Sequence, residues 1–318
     1  VFHVVQDAGV RPTAHDRTVG CPGVVGPELV ATLRLENDLR RALARNEFRV
    51  FYQPIVAIDD GHIAGFEALV RWQHPDRGLL LPGEFIMVAE EMGAIIQLDR
   101  WVAEEACKQL RVWHQKYRSH KRATMSVNLS TTHLMRPDVV SGVDLILRNS
   151  GLYGESLKLE VTESVLMENA EYAQAVLEQL RKLKIAISID DFGTGYSSLA
   201  YLRRFEIDTL KIDYSFVSRM LEDEESSEIV RTIITLAKNL GKDTVAEGVQ
   251  TRSQFEALIE QGVNMVQGYF IAPPLPKEVA ESLLERTAEQ PNHMAKILSD
   301  RMQGFAPEPE AAQPNLAN

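Results

Sequence analysis

Five carboxylates stand inside or at the ends of short apolar runs with strand character. They are Glu67 in GFEALVRW, Glu160 in LKLEVTE, Asp190 and Asp191 in AISIDDF, and Glu247 in TVAEGV. A buried carboxylate without a partner is costly, so such a cluster is protonated, matched by bases, or neutralised by bound metal. Asn128 in ATMSVNLS, Lys211 in TLKID and Gln267 in MVQGYF hold similar places in other runs, with Gln53 in FRVFYQPIVA a candidate eighth. Each alone has a plain explanation. A strand-end Glu faces solvent or pairs with Arg, Asp-Asp before Phe-Gly-Thr-Gly is turn chemistry, Asn128 makes an Asx turn, and Lys211 makes a rim ion pair.

Together, at matching ends of six or seven strands, they are improbable as independent accidents. Oxygen ligands without His or Cys suit Mg²⁺ or Mn²⁺ better than zinc. Five carboxylates suffice for two divalent ions sharing a bridging Asp, which stabilises the attacking and leaving oxygens of a phosphoester. A lysine among them would orient or deprotonate a water. The chemistry indicated is metal-assisted phosphoester hydrolysis, and these residues do not name the ester.

Convergence requires elements that carry scattered positions to one place. Eight strands are predicted at 48–57, 62–72, 123–130, 157–163, 184–192, 209–213, 243–249 and 265–270. Most are separated by stretches of helical period, such as Leu98, Val102, Ala106, Leu110 and Ala173, Val176, Leu177, Leu180, Leu183. Thr251 and Gln254 form a predicted capping box after the seventh strand. The expected fold is α/β, a (β/α)8 TIM-like barrel, whose sites lie at the C-terminal ends of the strands. A doubly wound open sheet is the rival, but no Gly-rich phosphate loop follows the first strand. Trp101 and Trp113, at helical spacing, read as packing residues.

The 318 residues carry a net charge of −11, which argues against a general DNA- or RNA-binding surface. A small phosphate ligand remains compatible, since bound metal reverses the local field. Two cysteines, Cys21 and Cys107, form no metal pattern or disulfide framework, as suits a reducing cytoplasm. No apolar run reaches membrane-span length. Residues 1–30 read as a connector or the remnant of an upstream domain, and 31–288 as the catalytic domain. Residues 289–318 read as a tail, disordered from about Gly304. A helix is expected over about 29–46, with Leu33, Leu35, Leu39 and Leu43 near one face.

Several segments resemble the EAL domain family: YQPI at 52–55, EALVRW at 67–72, LPGEFI and VAEEMG after it, VNLS at 127–130 and LEVTES at 159–164. DDFGTGYSSLAYLRRF at 190–205, LKIDYSFV at 210–217, AEGVQT at 246–251 and QGY at 267–269 follow in order, so the likeness covers about 35–285. The resemblance implies hydrolysis of cyclic di-GMP to linear pGpG, with two Mg²⁺ or Mn²⁺ ions and inhibition by Ca²⁺. It assigns Glu67, Asn128, Glu160 and Asp190 to one metal, and Asp190, Asp191 and Glu247 to the other. Lys211 would hold the attacking water with Gln267 nearby, and Gln53 and Arg71 would contact the nucleotide. Glu163 would fix the Asp191–Gly195 loop, which the family uses to couple dimerisation to metal binding.

The resemblance further implies a homodimer and allows the first strand to run antiparallel. The helix before Phe48 resembles the segment joining a GGDEF domain to an EAL domain, so an upstream GGDEF or sensory domain is compatible. Gln250 departs from the Glu frequent in the family, and is expected to reduce activity at most. The alternative is an inactive cyclic di-GMP receptor, which would be expected to lack some metal ligands. A protein-binding scaffold has no support in the residues.

Overall fold

The computed structural model describes residues 27–195, 202 and 204–289. The expected connector up to 26, the tail from 290 and part of the DFGTGYSSLAYL stretch lie outside the described residues. Among the described residues, a helix at Pro27–Ala42 starts slightly earlier than expected and buries Leu35 and Leu39.

Strands β1 (Phe48–Ala57) and β2 (Ile63–His74) form an antiparallel hairpin. The turn at 58–62 is far shorter than the dozen or so residues a parallel crossover requires, so no helix separates the first two strands. A short strand absent from the sequence reading, β3 (Gly78–Leu80), folds back on the end of β2. Strands β4 (Thr124–Asn128), β5 (Leu157–Thr162), β6 (Ala186–Phe192), β7 (Thr209–Ile212), β8 (Asp243–Ala246) and β9 (Met265–Val266) then add in parallel from β2 onward. β9 pairs antiparallel with β1, closing an eight-stranded barrel with β3 as an extra strand. The first strand is therefore antiparallel to both neighbours. β8 and β9 end earlier than expected, because the chain leaves the barrel at Glu247 and Gln267 to build the cleft.

Helices pack outside the barrel on apolar faces. The Ile95–Lys116 helix buries Ile95, Leu98, Val102, Ala106, Leu110 and Trp113, a run at three- and four-residue spacing. Trp113 meets Tyr52 edge-on at 4.9 Å and Phe66 at 5.1 Å, while Phe48 lies within 6 Å of Trp72, Phe85 and Trp101. Both tryptophans thus serve packing. The Ala170–Lys182 helix buries Ala173, Val176, Leu177 and Leu180. The predicted Thr251–Gln254 capping box opens the Arg252–Gln261 helix. No described helix is long and apolar enough to cross a membrane.

Strand alternation places side chains inside the barrel in layers. One interior ring holds Gln53, Glu67, Asn128, Glu160, Asp190, Lys211, Glu247 and Gln267. Two residues below on β4, β5, β6 and β7 come Ser126, Lys158, Ser188 and Thr209. Gly65 and Ile55 pair across the β1–β2 hairpin at that level. On β4, β6 and β7 this lower layer carries small hydroxyl side chains, where bulky branched residues would be usual.

Candidate active site

The upper ring is buried and charged. Lys211 sits at its centre with Nζ 2.5 Å from Glu247, 2.6 Å from Glu160, 3.1 Å from Asp190 and 3.4 Å from Glu67. Burial alone would lower the pKa of this lysine. The four carboxylates, Asp190 foremost, instead raise its pKa well above the usual value. Burial pushes the Glu160 carboxyl up to about 8; Lys211 opposes the rise, and the charges of Glu67, Asp190 and Glu247 add to it. One buried ammonium is shared among more anions than it can neutralise.

Asp190 and Asp191 are neighbours in sequence, and a regular strand would turn them to opposite faces. A bulge prevents that. Ile189 pairs with Leu210 and Phe192 with Ile212, so β6 spends an extra residue there, and Asp191 takes φ +53°. Carboxylate oxygens of Asp190, Asp191 and Glu247 consequently lie within 4.8 Å of one another. Asp tolerates this left-handed conformation better than most residues. Gly193 follows at φ +100°, and its N–H donates to Glu163 Oε2 at 3.0 Å, tying the loop to the buried Glu163.

On the other side, Asn128 Nδ2 donates to Glu67 Oε1 at 2.9 Å, and Gln267 Nε2 donates to Glu67 Oε2 at 2.7 Å and Gln53 Oε1 at 2.9 Å. Gln53 Nε2 donates to the Ala272 carbonyl. Glu67 and Gln53 lie in the interior of β2 and β1 rather than near a strand end, because the hairpin rises above the rest of the barrel. Its upper residues Leu69 and Arg71 form a wall of the cleft above the ring. Arg71 is buried, donates Nη1 to the Val70 carbonyl, and lies over the Phe51 ring at 5.5 Å.

That cleft has a volume of about 320 Å³ and opens onto Gln53, Glu67, Arg71, Glu247 and Gln267. Sequence reasoning assigned no role to three further lining groups: Tyr214, Tyr269 and the Leu81–Glu84 turn. Tyr214 follows Lys211 by three positions, and Gly248 makes room for it. A Cβ on Gly248 would fall 2.2 Å from Tyr214 Cδ2, and its φ of +65° also favours glycine. Gln250 lines the cleft with an exposed side chain, so it sits on the rim and not behind the ring.

The donor set fits hard divalent cations. Five carboxylates gathered around one ammonium leave an excess of acidic oxygen donors, which bound divalent ions would neutralise. Glu160 Oε1 and Gln267 Oε1 are buried acceptors without a hydrogen-bond partner, and such atoms call for a ligand or an ordered water. Oxygen donors with no His or Cys suit Mg²⁺-like ions.

The family model for the EAL domain matches residues 36–274. The chain is 45% identical over 252 residues to "Cyclic di-GMP phosphodiesterase NbdA" of Pseudomonas aeruginosa, covering 79% of this chain and 32% of that protein. It is 42% identical over 256 residues to "Bifunctional diguanylate cyclase/cyclic di-GMP phosphodiesterase MucR" of the same organism, covering 80% and 37%. The chain thus spans about a third of the length of these curated relatives. The solved structure "PaMucR Phosphodiesterase, c-di-GMP complex" superposes with a TM-score of 0.76 at 42% identity, over 78% of this chain and 99% of that one.

Proposed function

The chain belongs to the EAL domain family, and from that premise we propose that it hydrolyses cyclic di-GMP to linear pGpG in a metal-dependent reaction. The observation that carries the reading is the ring itself: every family position for metal or water holds a matching donor, and Lys211 joins four of the carboxylates. The alternative of an inactive receptor has no comparable observation in its favour.

Glu67, Asn128, Glu160 and Asp190 would hold one Mg²⁺ or Mn²⁺, and Asp190, Asp191 and Glu247 a second. When bound, such ions supply Lewis acidity toward phosphate oxygens and lower the pKa of water. Lys211, whose Nζ lies among four of these carboxylates, would orient or deprotonate a water for in-line attack at phosphorus. Gln267 braces Glu67 and Gln53 beside it. Arg71 presents a planar guanidinium, already held by Val70 and Phe51, to a phosphate, where a paired contact is available. Gln53 contacts the nucleotide from the hairpin wall. Glu163 holds the DFGTG loop that positions Asp191.

A homodimer and inhibition by Ca²⁺, which prefers more ligands at longer distances, belong to the same reading. So do a cytoplasmic site of action, where the dinucleotide would be met, and an upstream sensory or GGDEF domain. The decisive experiment incubates the protein with cyclic di-GMP and Mg²⁺ and separates the products. Conversion to pGpG that stops in excess chelator is expected. Unchanged substrate under all divalent ions would defeat the proposal, and light scattering would report the dimer.

A further inference from the structure

Asn128 ends β4, and Leu129 and Ser130 carry the chain into the Thr131–Leu134 helix. A helix of four residues has little stability of its own, since nucleation costs more than so few bonds return. The turn is held from the outer layer instead. Asp99, on the Ile95–Lys116 helix, accepts at Oδ2 from the Ser130 N–H at 3.1 Å and from Ser130 Oγ at 2.6 Å. Ser130 Oγ in turn accepts from the His133 N–H at 3.3 Å and caps the short helix. His133 Nδ1 lies 3.3 Å from the same Asp99 oxygen, and Arg100 Nε donates to His133 Nε2 at 3.4 Å. Asp99, Ser130 and His133 are 3%, 5% and 2% exposed, and none of them lines the cleft.

A carboxylate buried this deeply costs stability compared with an apolar residue of similar size. What it provides is a short, charge-assisted grip on the backbone two residues beyond Asn128. The Leu129 N–H donates to the Glu160 carbonyl at 2.9 Å, so the chain is held at both residues directly behind Asn128. The side chain is held as well: Nδ2 is engaged by Glu67 Oε1, which leaves Oδ1 as the atom offered to a cation. We infer that Asp99 is a positioning residue for metal binding, acting through Ser130 to fix the Asn128 amide. The inference rests on the metal-dependent reading above.

The test is Mn²⁺ binding by calorimetry, without substrate. Asp99→Ala is expected to weaken Mn²⁺ binding about tenfold, the lower end of losses when a partner behind a ligand is removed. Asp99→Asn keeps an acceptor for the Ser130 N–H and is expected to recover most of that loss. In an Asn128→Ala background, Asp99→Ala is expected to have no further effect, which a merely structural role would not produce. A folded Asp99→Ala protein that binds Mn²⁺ within twofold of wild type overturns the inference, as does an equal further loss in the Asn128→Ala background. Should Asp99→Ala fail to fold, Ser130→Ala takes its place, and unchanged affinity in that variant overturns it too. A wild-type protein that takes up no Mn²⁺ would remove the metal-dependent reading itself, and this inference with it.

Discussion

Two lysines stand one layer apart inside the barrel, and the fold treats them oppositely. Lys211, in the upper ring, is fully enclosed by carboxylates and holds its proton against burial. Lys158, in the lower layer, donates to Thr209 Oγ1 at 2.9 Å, and burial lowers its pKa in spite of Glu160, Asp243 and Asp208. Burial pulls both the same way, so the sign of each shift follows from how close the anions come. The upper layer is arranged around charge that exceeds its own counter-charge. The lower layer, with Ser126 and Ser188 flanking Lys158, keeps its polar groups small. Packing of the outer wall must carry the stability that neither layer supplies.

The largest expected effect tests that last point. Trp113→Ala should lower stability by about 3–5 kcal/mol while leaving turnover of the folded fraction within a few-fold. Denaturant unfolding beside saturated rates measures both. A large loss of turnover at full folding would show that wall and ring are not separable.

Lys211→Ala comes next, with turnover reduced by about 10²-fold or more and cyclic di-GMP affinity in Ca²⁺ largely kept. It should also destabilise the metal-free protein, because four buried carboxylates lose their cation, and Mn²⁺ should restore much of that loss. Thermal melts with and without Mn²⁺ separate the two effects. Arg71→Ala should raise KM about tenfold with kcat nearly unchanged, since a phosphate contact present in the ground state acts on binding. Steady-state kinetics would contradict this if kcat alone fell.

Lys158→Met sharpens the comparison from below. Replacing a half-buried ammonium, which has no carboxylate in contact among the described residues, with an apolar chain should be neutral or slightly stabilising, with turnover within twofold; a Lys211-sized loss would place Lys158 in the chemistry. The smallest effect concerns pH. Burial lowers the pKa of His114, whose Nε2 donates to the Ala123 carbonyl at 2.8 Å. A folded pKa below the unfolded value near 6.5 means this contribution is complete above about pH 6.5 and lost as pH falls through the folded pKa. His114→Gln should flatten that part of the stability profile, read from urea midpoints between pH 7.5 and 5.

Much of this arrangement was legible in the sequence. Glu67, Asn128, Glu160, Lys211 and Glu247 are anomalous within apolar runs, and the strand–helix alternation turns such anomalies into one ring. The antiparallel β1 was legible only through family likeness, although the short 58–62 turn already rules out a parallel crossover. The bulge at Asp190–Asp191 left no mark in hydrophobic periodicity, since one extra residue near a strand end looks like the start of a turn. Tyr214 and Tyr269 stand inside LKIDYSFV and QGY, but nothing in the type or spacing of those residues marks them as lining the cleft. Asp99 was missed for a different reason: one charge on an amphipathic helix looks solvated until tertiary contacts show that it is buried.

The seam between β1 and β9 has a kinetic consequence. Val56 pairs with Val266, about 210 residues along the chain, and contacts of such separation are entropically the dearest to form. β9 contributes only two residues to that ladder, so the seam gains little until its neighbours are in place. The bond from Gln267 to Gln53 spans the same seam. A refolding chain is therefore expected to recover helix content before the ring is complete, and the proposed activity, which needs the whole ring, is expected to return last, on the timescale of barrel closure.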